Sequence, residues 1–214
     1  LYLLFISVNI NYHFDRFTTL PVIVIIALVF IKPRLTSTKF KLDFIPDFYF
    51  EWKSYLRKYF WPAVLVYILA IAAAYHQATL IFSALFFTEF IAYIFQNNEN
   101  KEMLAAYFSR YSLKEKIIRN LRFFNILLAP IAVLFLILNF GQFYYLLYYL
   151  AFFNIFFLLI ITRKYKIYSH KTPRTYFDMG TALEFLFLSL AIIPAIFVIS
   201  SNFKAAKKNI ARYA

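Results

Sequence analysis

The chain has 214 residues, of which 63% are hydrophobic and only 15% charged, and its mean hydropathy is +0.67. A soluble domain of this size cannot hide so much apolar surface, and average globular usage is about 25% charged. The Lys and Arg residues that produce the net charge of +13 are gathered in blocks between long apolar runs. That is the retention pattern of membrane-flanking segments rather than a nucleic-acid footprint, so no nucleic-acid partner is expected. With no Cys in the chain, disulfides, thiolate catalysis and Cys-ligated metals are excluded. The expected class is an all-α, polytopic helical membrane protein with about six transmembrane segments and short amphipathic interfacial helices.

Taken in chain order, residues 1–10 read as the tail of something longer. They lack the basic start and small-residue cleavage site of a signal peptide. About 20 apolar residues at 1.5 Å each cross the hydrocarbon core. By that measure the spans fall near Thr18–Ile31, Tyr59–Tyr75, Ala78–Phe95, Phe123–Phe140, Phe143–Thr162 and Ala182–Ser200. Three regions follow: 1–32 with the upstream membrane sequence, 33–58 as linker and connecting helix, and 59–214 as the membrane core. Segments 32–58, 97–122 and 163–174 are rich in Lys and Arg, while the turns His76-Gln77 and Asn139–Gln142 carry none. The basic segments are therefore expected in the cytoplasm, with the protein integral to a bacterial inner membrane. The tail spoils this alternation. Lys204, Lys207, Lys208 and Arg212 lie beyond one further span, so either that span is re-entrant, broken near Pro194, or the tail is external.

Two stretches outside the spans carry patterns. In 47–60, Asp47 is placed to cap, and Phe48, Trp52, Tyr55, Leu56 and Tyr59 share one helical face. This predicts an amphipathic helix lying in the membrane interface, or else one packed on a neighbouring domain. In 97–121, Met103, Leu104, Tyr107, Phe108 and Tyr111 form an apolar stripe, Glu99 and Glu102 add acidic positions, and Ser109–Ser112 interrupts. Ser112 with Glu115 spells a capping box, which starts a new helix at Leu113 running into the next span. The helix before it either docks in a groove on a partner or lies passively on lipid.

The connecting helix, two spans with a tight outer turn, the acidic Glu99-Asn100-Lys101-Glu102-Met103-Leu104 and the restart Ser112-Leu113-Lys114-Glu115-Lys116-Ile117 together resemble ABC-2 type transporter permeases over about residues 47–200. The resemblance implies the membrane subunit of an exporter whose ATPase is a separate chain, and a homo- or heterodimer of membrane subunits. It also implies that Glu99, Glu102, Met103, Leu104, Tyr107 and Phe108 contact the ATPase. The extra upstream membrane sequence and the single clear span after Arg174 depart from the family pattern. The other readings are a non-transporting scaffold of an envelope or secretion complex, and a proton-coupled carrier using Glu89.

Glu89 sits mid-span, where a carboxylate must be protonated, paired or facing a cavity. Asn154 and Asn125 are candidate hydrogen-bond partners for it, in a substrate path or in a purely packing role. His13, His76 and His170 are isolated, and neither a zinc-protease motif, a nucleophile elbow nor a P-loop occurs. No catalytic residue, metal or cofactor is expected.

Overall fold

The structure is a computed structural model that describes residues 48–169, 171–172 and 192–213, together with Leu42, Ile45 and Pro46. The side chains of Leu85, Phe86, Glu89, Ile192 and Ile193 lie outside the described set. The chain divides into two compact units, Leu1–Thr38 and Lys39–Ala214, and all described residues belong to the second. The expected span Thr18–Ile31, the cap Asp47 and the stretch 173–191 are thus outside the described residues.

Among those residues the fold is entirely helical: α1 (Phe50–Ala73), α2 (Gln77–Ile94), α3 (Lys101–Phe108), α4 (Leu113–Leu138), α5 (Phe143–Ile167) and α6 (Ile192–Ile210). A 3₁₀ turn at Phe140–Gln142 joins α4 to α5. Three stretches, Phe50–Ala73, Leu113–Leu138 and Phe140–Ile167, are long and apolar enough to cross a bilayer. Large apolar side chains stand fully outward on them and on α6, with Ile137 and Phe197 each 73% exposed. Such a surface suits lipid and not water. The chain is therefore a membrane-embedded helical protein, with three candidate spans among the described residues where the sequence suggested about six in all.

Local chemistry explains the boundaries. Tyr59 leaves helical geometry at φ −128°, ψ 40°, three residues before Pro62, whose ring cannot donate to the Lys58 carbonyl and crowds it. The connecting helix and the next span are consequently one kinked element, α1. Its N-cap is Tyr49, with no side-chain capping bond. At the start of α2, the His76 imidazole Nδ1 accepts from Ala78 N–H at 3.2 Å, and burial holds that imidazole below its ordinary pKa, which keeps the nitrogen free to accept. Ser112 caps α4 by accepting from Glu115 N–H at 3.2 Å. The Glu115 carboxylate turns instead to Arg119 at 2.6 Å, so one half of the capping box forms.

Two antiparallel hairpins, α1–α2 and α4–α5, lie side by side in the same orientation. The pairs Trp52–Asn120 and Tyr67–Leu127, at 3.1 and 2.9 Å, run α1 parallel to α4. The Phe87–Phe153 and Phe95–Phe157 ring contacts run α2 parallel to α5. Asn139 Nδ2 donates to the Ala74 and Tyr75 carbonyls at 3.3 and 3.1 Å and ties the two outer turns together at the uncharged end. The core between the hairpins is aromatic, centred on Trp52, Phe95, Phe124, Phe153 and Phe157.

The last helix settles which way the basic tail points. Asn202 Oδ1 accepts from Lys166 Nζ at 2.7 Å. Asn209 Nδ2 donates to the carbonyls of Tyr165, Lys166 and Tyr168 at 3.1, 3.2 and 2.9 Å, filling the open C-terminal acceptors of α5. Tyr213 meets Tyr168 with ring centroids 5.3 Å apart. Helix α6 thus runs parallel to α5, and Lys204, Lys207, Lys208 and Arg212 join the other basic blocks at one end of the bundle. Pro194 lies two residues into the described part of α6.

Candidate functional site

The basic end contains a buried set of charges drawn from four segments. Glu51 comes from the first turn of α1, Glu99 from the loop before α3, Lys116 from the first turn of α4, and Lys164 with Tyr165 from the end of α5. The four helical members reach the interior because each shares a helical stripe with apolar residues, while Glu99 enters from the loop. On α4 the buried positions are Leu113, Lys116, Ile117, Asn120 and Phe124, at helical spacing. On α5 Lys164 and Tyr165 continue the stripe of Phe157, Ile160 and Ile161.

The geometry is closed. Lys116 Nζ lies 2.7 Å from Glu99 Oε1 and 3.3 Å from Glu51 Oε1. Lys164 Nζ lies 3.1 Å from Glu51 Oε1 and 2.9 Å from Glu99 Oε2. The Tyr165 hydroxyl is shared between Glu51 Oε1 at 2.8 Å and Glu99 Oε1 at 2.6 Å. Tyr168 O–H donates to the Glu99 carbonyl at 2.6 Å. Lys116 also faces the Tyr107 ring at 4.7 Å, and Lys164 the Tyr165 ring at 5.3 Å, so sides of the ammonium groups not turned to carboxylates meet π-faces.

Two carboxylates and two ammoniums make the set electrically neutral, which is what allows it to be buried. Burial alone would push the Glu99 carboxyl up. The Lys116 and Lys164 charges outweigh it, and the carboxyl is held well below the usual carboxylate range. Burial and the Glu99 charge push the Tyr168 phenol up to about 12, so it stays a donor. Glu51 Oε2 has no hydrogen-bond partner among the described residues. The cluster has no nucleophile set against a base, and among the described residues no group of three His, Asp or Glu could hold a metal ion. Its physical effect is mechanical: the loop leading into α3 is bound to α1, α4 and α5 at once.

The residues expected to contact an ATPase separate into two groups. Glu99 and Leu104 are buried, Glu99 in the ionic cluster and Leu104 in the apolar core. A carboxylate taken up by two ammoniums is not a docking contact, so the expectation is corrected for these two. Glu102 and Met103 face outward. Tyr107 and Phe108 are half-buried, with Phe108 edge-on to Tyr165 at 6.1 Å.

The expected interface stripe is corrected at Trp52. Trp52 is 2% exposed and packs on Phe95, Phe123 and Phe124, because the stripe meets the α4 hairpin of its own chain rather than headgroups. Phe48 lies against Arg119 at 5.3 Å, Tyr55 packs edge-on to Phe90, and Leu56 is half-buried. Asn125 and Asn154 pair with each other across α4 and α5 by reciprocal amide bonds of 2.6 and 3.1 Å. Glu89 lies in α2, but its side chain is outside the described set.

The sequence pattern gives Glu51, Lys164 and Tyr165 no role and includes Lys116 only within the restart Ser112–Ile117. The signal that marks them is registration: each occupies a position that helical spacing assigns to an apolar stripe. Compared with known protein families, with curated proteins and with solved structures, the chain matches none. Fold and site together define a membrane-embedded helical bundle with a buried ionic tie at its basic end.

Proposed function

We propose that this chain is the membrane subunit of an ATP-driven, ABC-type transporter whose ATPase is a separate chain that engages α3. The observation carrying the reading is the way α3 is anchored. An eight-residue helix stands at the basic end with Glu102 and Met103 outward. The residue preceding its N-cap Asn100, Glu99, is clamped between Lys116 on α4 and Lys164 on α5. A force applied to α3 is transmitted to three long helices through short ionic contacts, where a loosely tethered helix would dissipate it. In this reading the basic end faces the bacterial cytoplasm, where ATP is available.

The test uses the tagged full chain purified from its native membrane. ATP hydrolysis is expected to co-purify with it and to fall at least about tenfold in Glu102→Lys/Met103→Asp, two exposed changes that leave the ionic cluster intact. The reading fails if no ATP hydrolysis co-purifies, or if the double variant retains it in full while its helix content matches the parent.

A further inference from the structure

The outward face of α4 carries two adjoining hollows. The one nearer the basic end is lined by Lys114, Glu115, Arg119 and Arg122. The one deeper in is lined by Leu121, Ile126 and Ala129, and Ile118 and Arg122 belong to both. Positions 115, 118, 122, 126 and 129 step by three or four, so the hollows form one continuous groove along the helix. Ala129 has the smallest of the lining side chains, and the same face continues through Val133 and Ile137, both exposed.

The groove changes character at a definite depth. Arg122 precedes the end of α4 at Leu138 by about 24 Å of helix, close to the hydrocarbon thickness of about 30 Å. When α4 crosses a bilayer, the guanidinium therefore stands at headgroup level and everything below it at acyl level. Of the charges at that upper end, Glu115 is engaged by Arg119 at 2.6 Å, so Lys114 and Arg122 remain as a surplus of two positive charges. Below Arg122 the one polar side chain, Asn125, is occupied by Asn154, so the deeper surface is effectively apolar.

We infer that this groove is a binding site for one anionic glycerophospholipid, its phosphate held by Arg122 with Lys114 and Arg119, and one acyl chain lying along Ile118, Ile126 and Ala129. A guanidinium can bind a phosphate through two parallel N–H donors, and the surplus of positive charge selects an anionic headgroup over a zwitterionic one. The occupant must be amphipathic with its charge at one end. A lipid has that form, whereas a second copy of this chain, itself basic at this end, would bring like charges together.

The absence of Cys allows a direct test. The full chain carrying Ile126→Cys is labelled with an environment-sensitive fluorophore and reconstituted in phosphatidylcholine vesicles. Acyl-brominated phosphatidylglycerol or acyl-brominated phosphatidylcholine is then added at rising mole fraction. Half-quenching is expected at about fivefold lower mole fraction of the anionic lipid. Arg119→Gln/Arg122→Gln should bring the two curves together, while Lys207→Gln/Lys208→Gln, at exposed positions on α6, should leave them apart. Millimolar inorganic phosphate should change nothing. Four results would overturn the inference. They are equal curves in the parent, an equal loss in the α6 variant (diffuse surface charge), erasure of the preference by phosphate (a free-anion site), and absence of quenching by either lipid (a protein neighbour covering the face).

Discussion

Replacing Lys116 by Met removes one of two ammonium groups from a set that is neutral and fully buried. Lys116 Nζ stands 2.7 Å from Glu99 and 3.3 Å from Glu51, so its loss leaves two carboxylates sharing Lys164 alone. Breaking a buried pair by deleting one partner costs about 3–5 kcal/mol, because the remaining charge stays buried and uncompensated. For a chain of this length that corresponds to a fall in Tm of about 6–20 °C. Adding Glu99→Gln restores neutrality and should recover more than half of the loss.

The pH dependence has a definite sign. In the parent, Glu99 titrates well below its ordinary value of 4.5, so its stabilising contribution is complete above that value and is lost as pH falls through the lowered one. In Lys116→Met one carboxyl titrates above its ordinary value. The folded state then binds the extra proton, and the variant gains on the parent as pH falls from about 8 to 5. Thermal unfolding in detergent at several pH values reads both effects. A fall in Tm under about 3 °C, or a gap between variant and parent that does not change with pH, would show that the four charges are not coupled in this way.

Asn125→Leu and Asn154→Leu should each destabilise by about 1–2 kcal/mol by stranding the partner amide, and the double variant by less than the sum, with a coupling of about 0.6–1.7 kcal/mol in a thermal double-mutant cycle. Strict additivity would contradict the reciprocal pair. The chain has two Trp residues; in Trp61→Phe the remaining Trp52 should emit at short wavelength and resist quenching by both iodide and brominated lipid, whereas strong quenching by brominated lipid would return it to the membrane interface. Single Cys residues at Lys171 and Arg212 should be labelled from the same side of the membrane. Cys at Gly141, where an added Cβ meets nothing within 4 Å, should be labelled from the other. Labelling of Arg212→Cys with Gly141→Cys would reverse the direction of α6.

What could be read from the sequence was what neighbouring residues decide. Ser112 and Glu115 mark the start of α4 because a cap is a contact over three positions. Apolar length located α2, α4 and α5 to within a turn at their uncharged ends. Periodicity found the aromatic stripe of Trp52 and Tyr55, but it says only that a face is apolar. Whether lipid or another helix covers that face depends on the rest of the chain.

The ionic cluster was out of reach for a related reason. Glu51 and Lys164 are 113 positions apart, and as isolated letters both look like ordinary charges at a membrane edge. The direction of α6 required knowing that Asn202 and Asn209 bind the end of α5, which charge alternation does not encode. The positive tail was the visible symptom.

In the proposed function α3 is the handle through which an ATPase acts on this bundle, and Met103, outward and 43% exposed, is the position from which to ask. A photo-crosslinking amino acid at Met103 in native membranes, with a photoreactive ATP analogue added in a second step, is predicted to yield one protein adduct that also carries the nucleotide. A chain that crosslinks only to lipid, or to a protein that takes up no ATP analogue, would exclude that role for α3.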